Sequence, residues 1–370
     1  MKQISFCLPK IIFSNNASDI LIKKIRKKKC IIFTSKYWTK SNLFKILKSN
    51  INFIKVINNI KPNPEIKNII KASLDLKNVD IILCIGGGSV IDFTKASLAF
   101  NAIEKNKEKF KEILFLGKKF NQITIPKIIA VPTSSGTGSE VNSWGTIWDK
   151  GNKYSVSGRK LMPSEVIFDA NLCKTMPTKL TTSSGLDALS HAIEAILNKN
   201  HNPIIDQIAM QAIEKIKKYL PLTLQRKNNS RYRSQMQEAA FLAGIAMSKT
   251  KTAICHSISY PLTSLYDLPH GIACSLTLPD ICQLNVKQNP ERAMVISKAM
   301  GCSNKNLERN LISFFKSLKY ENYLKFIKKK DINGSINFIN PARAKNSLVQ
   351  ISNNDAVKIV RSSIKKLISS

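Results

Sequence analysis

Asp187, His191, His256 and His270 use three of the four histidines in this 370-residue chain. Together they offer one carboxylate and three imidazoles, a donor set for a single divalent metal beside a reacting carbonyl. In GLDALSHAIEA, Asp187 and His191 stand at i and i+4, so a helix there puts both on one face. His256 in AICHSISYPL and His270 in DLPHGIACSL supply the other half, with an intervening Pro-containing turn able to fold the second imidazole toward the first. Imidazole nitrogens and one carboxylate oxygen suit Fe²⁺ or Zn²⁺ far better than Ca²⁺ or Mg²⁺. Taken singly, each histidine reads more simply as a satisfied core or surface group. Cys255, next to His256, is a fifth candidate donor.

A second signal lies upstream, in IILCIGGGSVIDFTKASLAF. Residues 81–85 form an Ile-rich apolar run suited to a buried parallel strand, and residues 90–100 carry helical apolar spacing. Between them Gly86, Gly87, Gly88 and Ser89 form a strand-to-helix turn where backbone N–H groups can approach a pyrophosphate with no Cβ in the way. The alternative is a tight turn that needs glycine for positive φ. A second small-residue loop, VPTSSGTGSE, follows another apolar strand, KIIAV. Two such loops suggest a nucleotide lying along a sheet edge.

The elements that must hold these residues follow from pattern. Strands are expected at 29–34, 52–57, 79–85, 127–132 and 164–169, separated by helical stretches, which predicts a parallel, doubly wound, Rossmann-like sheet. Strand signal fades near Pro177, and Thr182 to Ser184 offer N-cap chemistry just before Asp187. Helices are expected at 203–219, 233–249, 251–258, 289–300, 305–317 and 354–368. The reading is an α/β dinucleotide-binding domain over 1–178 and an all-helical metal-binding domain over 179–370.

GGGSVIDFTK, PTSSGTGSE, GLDALSHAIEA and HSISYPLTSLYDLPHG, in this order, resemble the iron-containing (group III) alcohol dehydrogenase family over nearly the whole chain. The resemblance implies a dehydroquinate synthase-like architecture, with an α/β domain, an all-α domain and a catalytic cleft between them. It implies Fe²⁺, with Zn²⁺ as alternative, on Asp187, His191, His256 and His270. It also implies a pyrophosphate at Gly86, Gly87, Gly88 and Ser89 with Asp92 of the same motif, a nicotinamide-side loop at Thr133, Ser134 and Thr137, and a cofactor contact at Lys153. The family usually places an acidic residue after the second strand to bond the adenosine ribose. Here Ser35 and Lys36 stand at that place, which favours NADPH over NADH, with dual use possible. Many relatives carry a further histidine four residues after the third ligand. Tyr260 replaces it here, as a substrate-orienting, proton-donating or merely packing group.

The expected chemistry is reduction of a small aldehyde, with a divalent metal as Lewis acid and hydride from the nicotinamide. The segment around Tyr260, together with NPARAKNS, most resembles the phosphonoacetaldehyde reductase branch, which makes 2-hydroxyethylphosphonate in phosphonate biosynthesis. Arg159 and Arg343 are candidate phosphonate partners, because guanidinium bonds such oxygens in a fork. Both also read as solvated or interdomain ion pairs. Rival readings are another small-alcohol dehydrogenase, a dehydroquinate-synthase-like lyase, and a non-catalytic nucleic-acid binder.

The last rival rests on a net charge of +34. The lysines are scattered rather than gathered with aromatics on one module, and the abundance of Lys, Ile and Asn fits codon drift in an AT-rich genome. No specific nucleic-acid partner is expected; the overall field still attracts anions. The chain has no apolar run of membrane-spanning length, its N-terminus is too broken by polar residues for a leader, and its eight cysteines show no CxxC pairing. A cytoplasmic homodimer with free thiols is expected.

Overall fold

The computed structural model describes residues 7–72, 74–116, 124–149, 152–327 and 332–368. The first part of the leader reading, at 1–6, and the lysine run at 328–330 lie outside the described residues. Contacts divide the chain into two compact units, Met1–Ser134 with Ser139–Cys173, and Ser135–Gly138 with Lys174–Ser370.

The first unit runs β1 (Lys10–Ser14), α1 (Ala17–Ile25), β2 (Cys30–Phe33), α2 (Asn42–Asn50), β3 (Phe53–Ile57), α3 (Ile66–Lys71), β4 (Ile81–Gly86), α4 (Gly88–Ala102) and α5 (Lys107–Leu116). It continues with β5 (Lys127–Pro132), β6 (Trp144–Asp149), β7 (Asn152–Ser157) and β8 (Glu165–Asp169). Six strands pair in the order β1-β8-β5-β4-β2-β3, every pairing parallel. β2 and β4 are buried along their whole length, as interior parallel strands must be when both faces are covered. β3 lies at the edge and exposes Lys55, a charge that discourages pairing with another chain. From β2 the chain steps outward to β3, then returns to β4 on the other side and proceeds to β5 and β8. The order therefore reverses between β2 and β4, and ligands of such sheets bind outside the strand C-termini at that reversal.

Two strand features of this unit were not anticipated. β1 is a short edge strand whose pairing with β8 joins residues far apart in sequence, and β6 and β7 form an antiparallel pair.

The second unit is helical. Its helices are α6 (Thr178–Ile196), α7 (Pro203–Gln225), α8 (Ser230–Thr250), α9 (Ile254–Tyr266), α10 (His270–Ser275), α11 (Leu278–Gln288), α12 (Pro290–Ala299), α13 (Leu307–Ser317), α14 (Pro341–Ala344) and α15 (Asn353–Ile368). α6 is buried on every side from Thr181 to Ile196, the condition of a central core helix. Its small residues let neighbours close in, and a Cβ on Gly185 would come within 2.7 Å of Leu220.

Two local expectations are corrected. Thr182 to Ser184 do not cap α6, which starts at Thr178 after Pro177; Ser184 Oγ instead donates to the Leu180 carbonyl, 2.7 Å away within the helix. The helix expected at 251–258 is α9, and it runs through Pro261 without ending there. The turn that reverses the chain is at 267–269, where Asp267 adopts φ 51°.

Candidate metal centre

A helix buried all round should carry few polar side chains, because each must find a partner or cost free energy. α6 nevertheless carries Asp187, His191 and Glu194 at i, i+4 and i+7, one stripe along a single face. His256 from α9 and His270 from the start of α10 are brought to the same stripe. Asp187 Oδ1 lies 3.6 Å from His191 Nε2 and 3.5 Å from His256 Nε2. The His191 and His256 rings stack at 4.8 Å and 11°, and the His270 ring meets His256 edge-on at 5.7 Å.

Two residues outside the expected set make this convergence possible. A Cβ on Gly271 would fall 1.7 Å from the Ser183 carbonyl oxygen, so only glycine lets α10 dock on α6 directly after His270. Glu194 receives the start of α9: its carboxylate accepts the backbone N–H of Ala253 at 3.1 Å, Cys255 at 2.6 Å and His256 at 3.2 Å. Ala253 has no capping side chain, so α6 supplies the cap from outside, an anion where the helix dipole favours one. The same carboxylate lies 2.5 Å from His256 Nδ1. Burial by itself would raise the Glu194 pKa, yet the facing His256 and the N–H groups hold it below its ordinary value. An ionised carboxylate only accepts, so Nδ1 carries the proton and Nε2 is aimed at Asp187. The i+7 position relative to Asp187 was the readable signal for Glu194.

Whether a metal fits this pocket can be judged from its buried atoms. Asp187 and His256 are 4% and 2% exposed, and neither Asp187 Oδ1 nor His256 Nε2 has a hydrogen-bond partner among the described residues. Burial alone would raise Asp187, but His191, His256 and His270 hold it well below the usual carboxylate range. Burial likewise opposes charge on His256, and Cys274, Glu194 and Asp187 outweigh it, raising its pKa well above that of an ordinary imidazole. The pocket attracts positive charge and leaves donor atoms aimed at one another, which suits a divalent cation bound by nitrogen and oxygen. The thiol beside these donors is Cys274 rather than the fifth candidate Cys255, whose pKa burial and Glu194 push far up.

Tyr260 lies four residues beyond His256 on α9, half-buried, and its hydroxyl accepts a 3.1 Å hydrogen bond from Arg343 Nε of α14. Arg159 is exposed in a short turn of the other unit.

In that first unit, the first small-residue loop leaves the C-terminus of β4, which borders the sheet reversal, and the second begins at the C-terminus of the adjacent β5, although its Ser135–Gly138 segment groups with the second unit. Thr133 N–H donates to the Gly86 carbonyl at 3.1 Å, and a Cβ on Gly87 would come within 2.9 Å of Ser134 Oγ. Gly86 to Gly88 are absent from the positive-φ residues, so here glycine serves close approach rather than turn geometry. Ser89 and Asp92 lie in the first turns of α4, Ser35 and the exposed Lys36 follow β2, and Thr137 falls in the segment grouped with the second unit. Lys153 Nζ sits 5.9 Å from the Trp148 ring centroid. Asp92 accepts a hydrogen bond from Ser139 Oγ. Beneath it Lys95, fully buried, shares its three N–H donors among Ser139 O at 2.5 Å, Asn142 O at 2.8 Å, Asn142 Oδ1 at 3.0 Å and Trp144 O at 3.0 Å. This lysine fastens the segment after the second loop to α4, a role that its place in GGGSVIDFTK did not disclose. Burial pushes Lys95 down to about 8, against Asp92 and Glu140, and burial pushes Glu140 up to about 7.

Comparison with known proteins joins the two halves. Residues 9–170 match the model of iron-containing alcohol dehydrogenases, and residues 181–334 match the C-terminal model of the same family. An NADPH-dependent butanol dehydrogenase of Clostridium saccharobutylicum is 32% identical over 85% of this chain and 83% of its own. An NAD-dependent methanol dehydrogenase of Bacillus methanolicus is 30% identical over 76% and 74%. The crystal structure of sulfoacetaldehyde reductase from Bifidobacterium kashiwanohense, in complex with NAD⁺, matches with a TM-score of 0.85 and 26% identity over 100% of both chains. The sheet unit and the helical unit thus match models of one family, and this chain belongs to the iron-containing alcohol dehydrogenase family.

Proposed function

We propose that this oxidoreductase reduces phosphonoacetaldehyde to 2-hydroxyethylphosphonate, with residues 1–178 binding NADPH or NADH and residues 179–370 binding iron. Asp187, His191, His256 and His270 would hold the ion. When bound, the iron supplies a Lewis acid for the aldehyde oxygen and the nicotinamide supplies hydride. Gly86, Gly87, Gly88 and Ser89 receive the pyrophosphate at the α4 N-terminus, Thr133, Ser134, Thr137 and Lys153 border the nicotinamide, and Asp92 braces that loop through Ser139. Ser35 and Lys36 leave room and positive charge for a 2′-phosphate.

The observation that carries the substrate reading is the Tyr260–Arg343 contact, 3.1 Å long and rooted on the helix that bears His256. Tyr260 holds the guanidinium in place, and the planar fork can bind two oxygens of a phosphonate. Tyr260 is also the assigned proton donor to the developing alkoxide. Arg159, exposed in the other unit, is assigned no more than a contribution to the cationic field. A second reading, sulfoacetaldehyde, is favoured by the structural likeness to a sulfoacetaldehyde reductase, and it needs the same cation.

Oxidation of NADPH and of NADH is followed with phosphonoacetaldehyde, sulfoacetaldehyde and butanal, each with Fe²⁺ or Zn²⁺ supplied. A kcat/KM for phosphonoacetaldehyde at least about tenfold above the others, removed by Arg343→Ala, supports the proposal. A preference for butanal rejects the anionic substrate and leaves the reaction class standing. Retained NAD⁺ without net turnover would indicate the lyase, and salt-dependent DNA binding without reductase activity the nucleic-acid role.

A further inference from the structure

Cys274 stands one helical turn after His270 on α10, buried, with Sγ 3.6 Å from both ring nitrogens of His270. One donor atom each from Asp187, His256, His270 and Cys274 lie within 4.8 Å of one another, a group that His191 does not enter. In a tetrahedral zinc site with bonds of about 2.0–2.3 Å, neighbouring donors lie about 3.4–3.8 Å apart. The Cys274–His270 separation of 3.6 Å and the His256–Asp187 separation of 3.5 Å are edges of that size. The buried, unpartnered Asp187 Oδ1 and His256 Nε2 mark the same space independently of the thiol.

We propose that the pocket contains two overlapping ligand sets that share Asp187, His256 and His270 and differ in taking His191 or Cys274 as the fourth. This rests on the metal reading of the site and adds a choice that reading lacks. Fe²⁺, the harder ion, takes the all-nitrogen-and-oxygen set. Zn²⁺ and Cd²⁺, which favour sulfur, take the set with Cys274, whose thiol gives its proton to solvent as sulfur bonds the ion. Zn²⁺ with four protein donors including sulfur settles as a closed tetrahedron with no position for an aldehyde oxygen, whereas Fe²⁺ on four nitrogen and oxygen donors would accept a further ligand. The chain then discriminates between metals by ligand type, and zinc is an occupant that holds the site without supporting turnover.

The test uses the full-length protein, stripped of metal and reloaded with Co²⁺, Zn²⁺ or Cd²⁺. Co²⁺ should give visible bands of a low-symmetry site together with a sulfur-to-metal charge-transfer band, which Cys274→Ser abolishes while the visible bands persist. The same variant should weaken Cd²⁺ and Zn²⁺ at least about tenfold more than Fe²⁺, read by competition with a chelator. Cys274→Ala, with its melting curve compared to wild type, separates loss of the donor from loss of folding. Visible Co²⁺ bands without charge transfer in the wild type, or equal weakening for all metals, overturn the sulfur set and leave the metal centre intact. Absence of any Co²⁺ binding overturns both.

Discussion

The proposed metal pocket and the proposed dinucleotide loops pose opposite problems. In the helical unit the donors are side chains with specific chemistry, and packing exists to aim them: Gly271 brings α10 onto α6, and Glu194 caps α9 while orienting His256. In the sheet unit the proposed donors are backbone N–H groups, and side chains must stay away: a Cβ on Gly86 would fall 2.5 Å from Val90, and one on Gly87 would fall 2.9 Å from Ser134 Oγ. One site is damaged by removing atoms and the other by adding them.

The largest effect expected from that contrast is a double dissociation. His256→Ala should lose metal by elemental analysis and at least about a thousandfold in activity, since Lewis-acid stabilisation is worth several kcal/mol, while NADPH binding by fluorescence titration is kept. Gly87→Val should keep the metal and lose dinucleotide binding. Equal metal content in wild type and His256→Ala would refute the ligand assignment. His270→Ala should behave like His256→Ala.

Glu194→Gln sharpens the contrast within the metal site. The amide preserves shape but not charge, so metal affinity should fall about 10–100-fold, as when the partner of a metal-binding histidine is replaced. Glu194→Asp should recover less than the wild-type affinity because its shorter side chain cannot reach both Nδ1 and the α9 N-terminus. An unchanged metal dissociation constant in Glu194→Gln would show that the carboxylate serves the helix cap alone.

On the sheet side, Ser35→Asp restores a carboxylate after β2. Its repulsion of a 2′-phosphate should move the NADPH-to-NADH ratio of kcat/KM toward NADH by about tenfold, near 1.4 kcal/mol. A ratio that does not move would place the 2′-phosphate elsewhere.

The smallest effect concerns Glu140. Its folded pKa of about 7 lies above the ordinary carboxyl value of 4.5, so between these pH values the native state keeps a proton that the unfolded chain has released. Stability from this group is present below about 4.5 and lost as pH rises toward 7. Melting temperature in wild type should therefore fall more steeply across that window than in Glu140→Gln. Parallel slopes would show that Glu140 is charged in the folded protein.

Patterns with a short period were readable. β4 and β5 are apolar runs ended by small-residue loops, and Asp187 and His191 at i, i+4 announce one helix face. β1 was not readable, because a short edge strand between polar residues becomes a strand through pairing with β8, a distant segment. Thr182 to Ser184 misled because hydroxyls that cap a helix also bond the preceding turn inside one. No helix among the described residues is long and apolar enough to cross a membrane.

By itself the sequence determined donor types, the order of the motifs and the family, since these reside in residue identity and local spacing. Only the tertiary structure decided that Glu194 serves His256, that Cys274 rather than Cys255 faces the donors, and that Arg343 meets Tyr260. Glu194 and His256, and Arg343 and Tyr260, come from separate helices, and α10 carries His270 and Cys274 together to α6; each meeting depends on how closely two backbones approach. That distance is fixed by packing at positions such as Gly271, where one missing methyl group admits the neighbour, and no local periodicity encodes it.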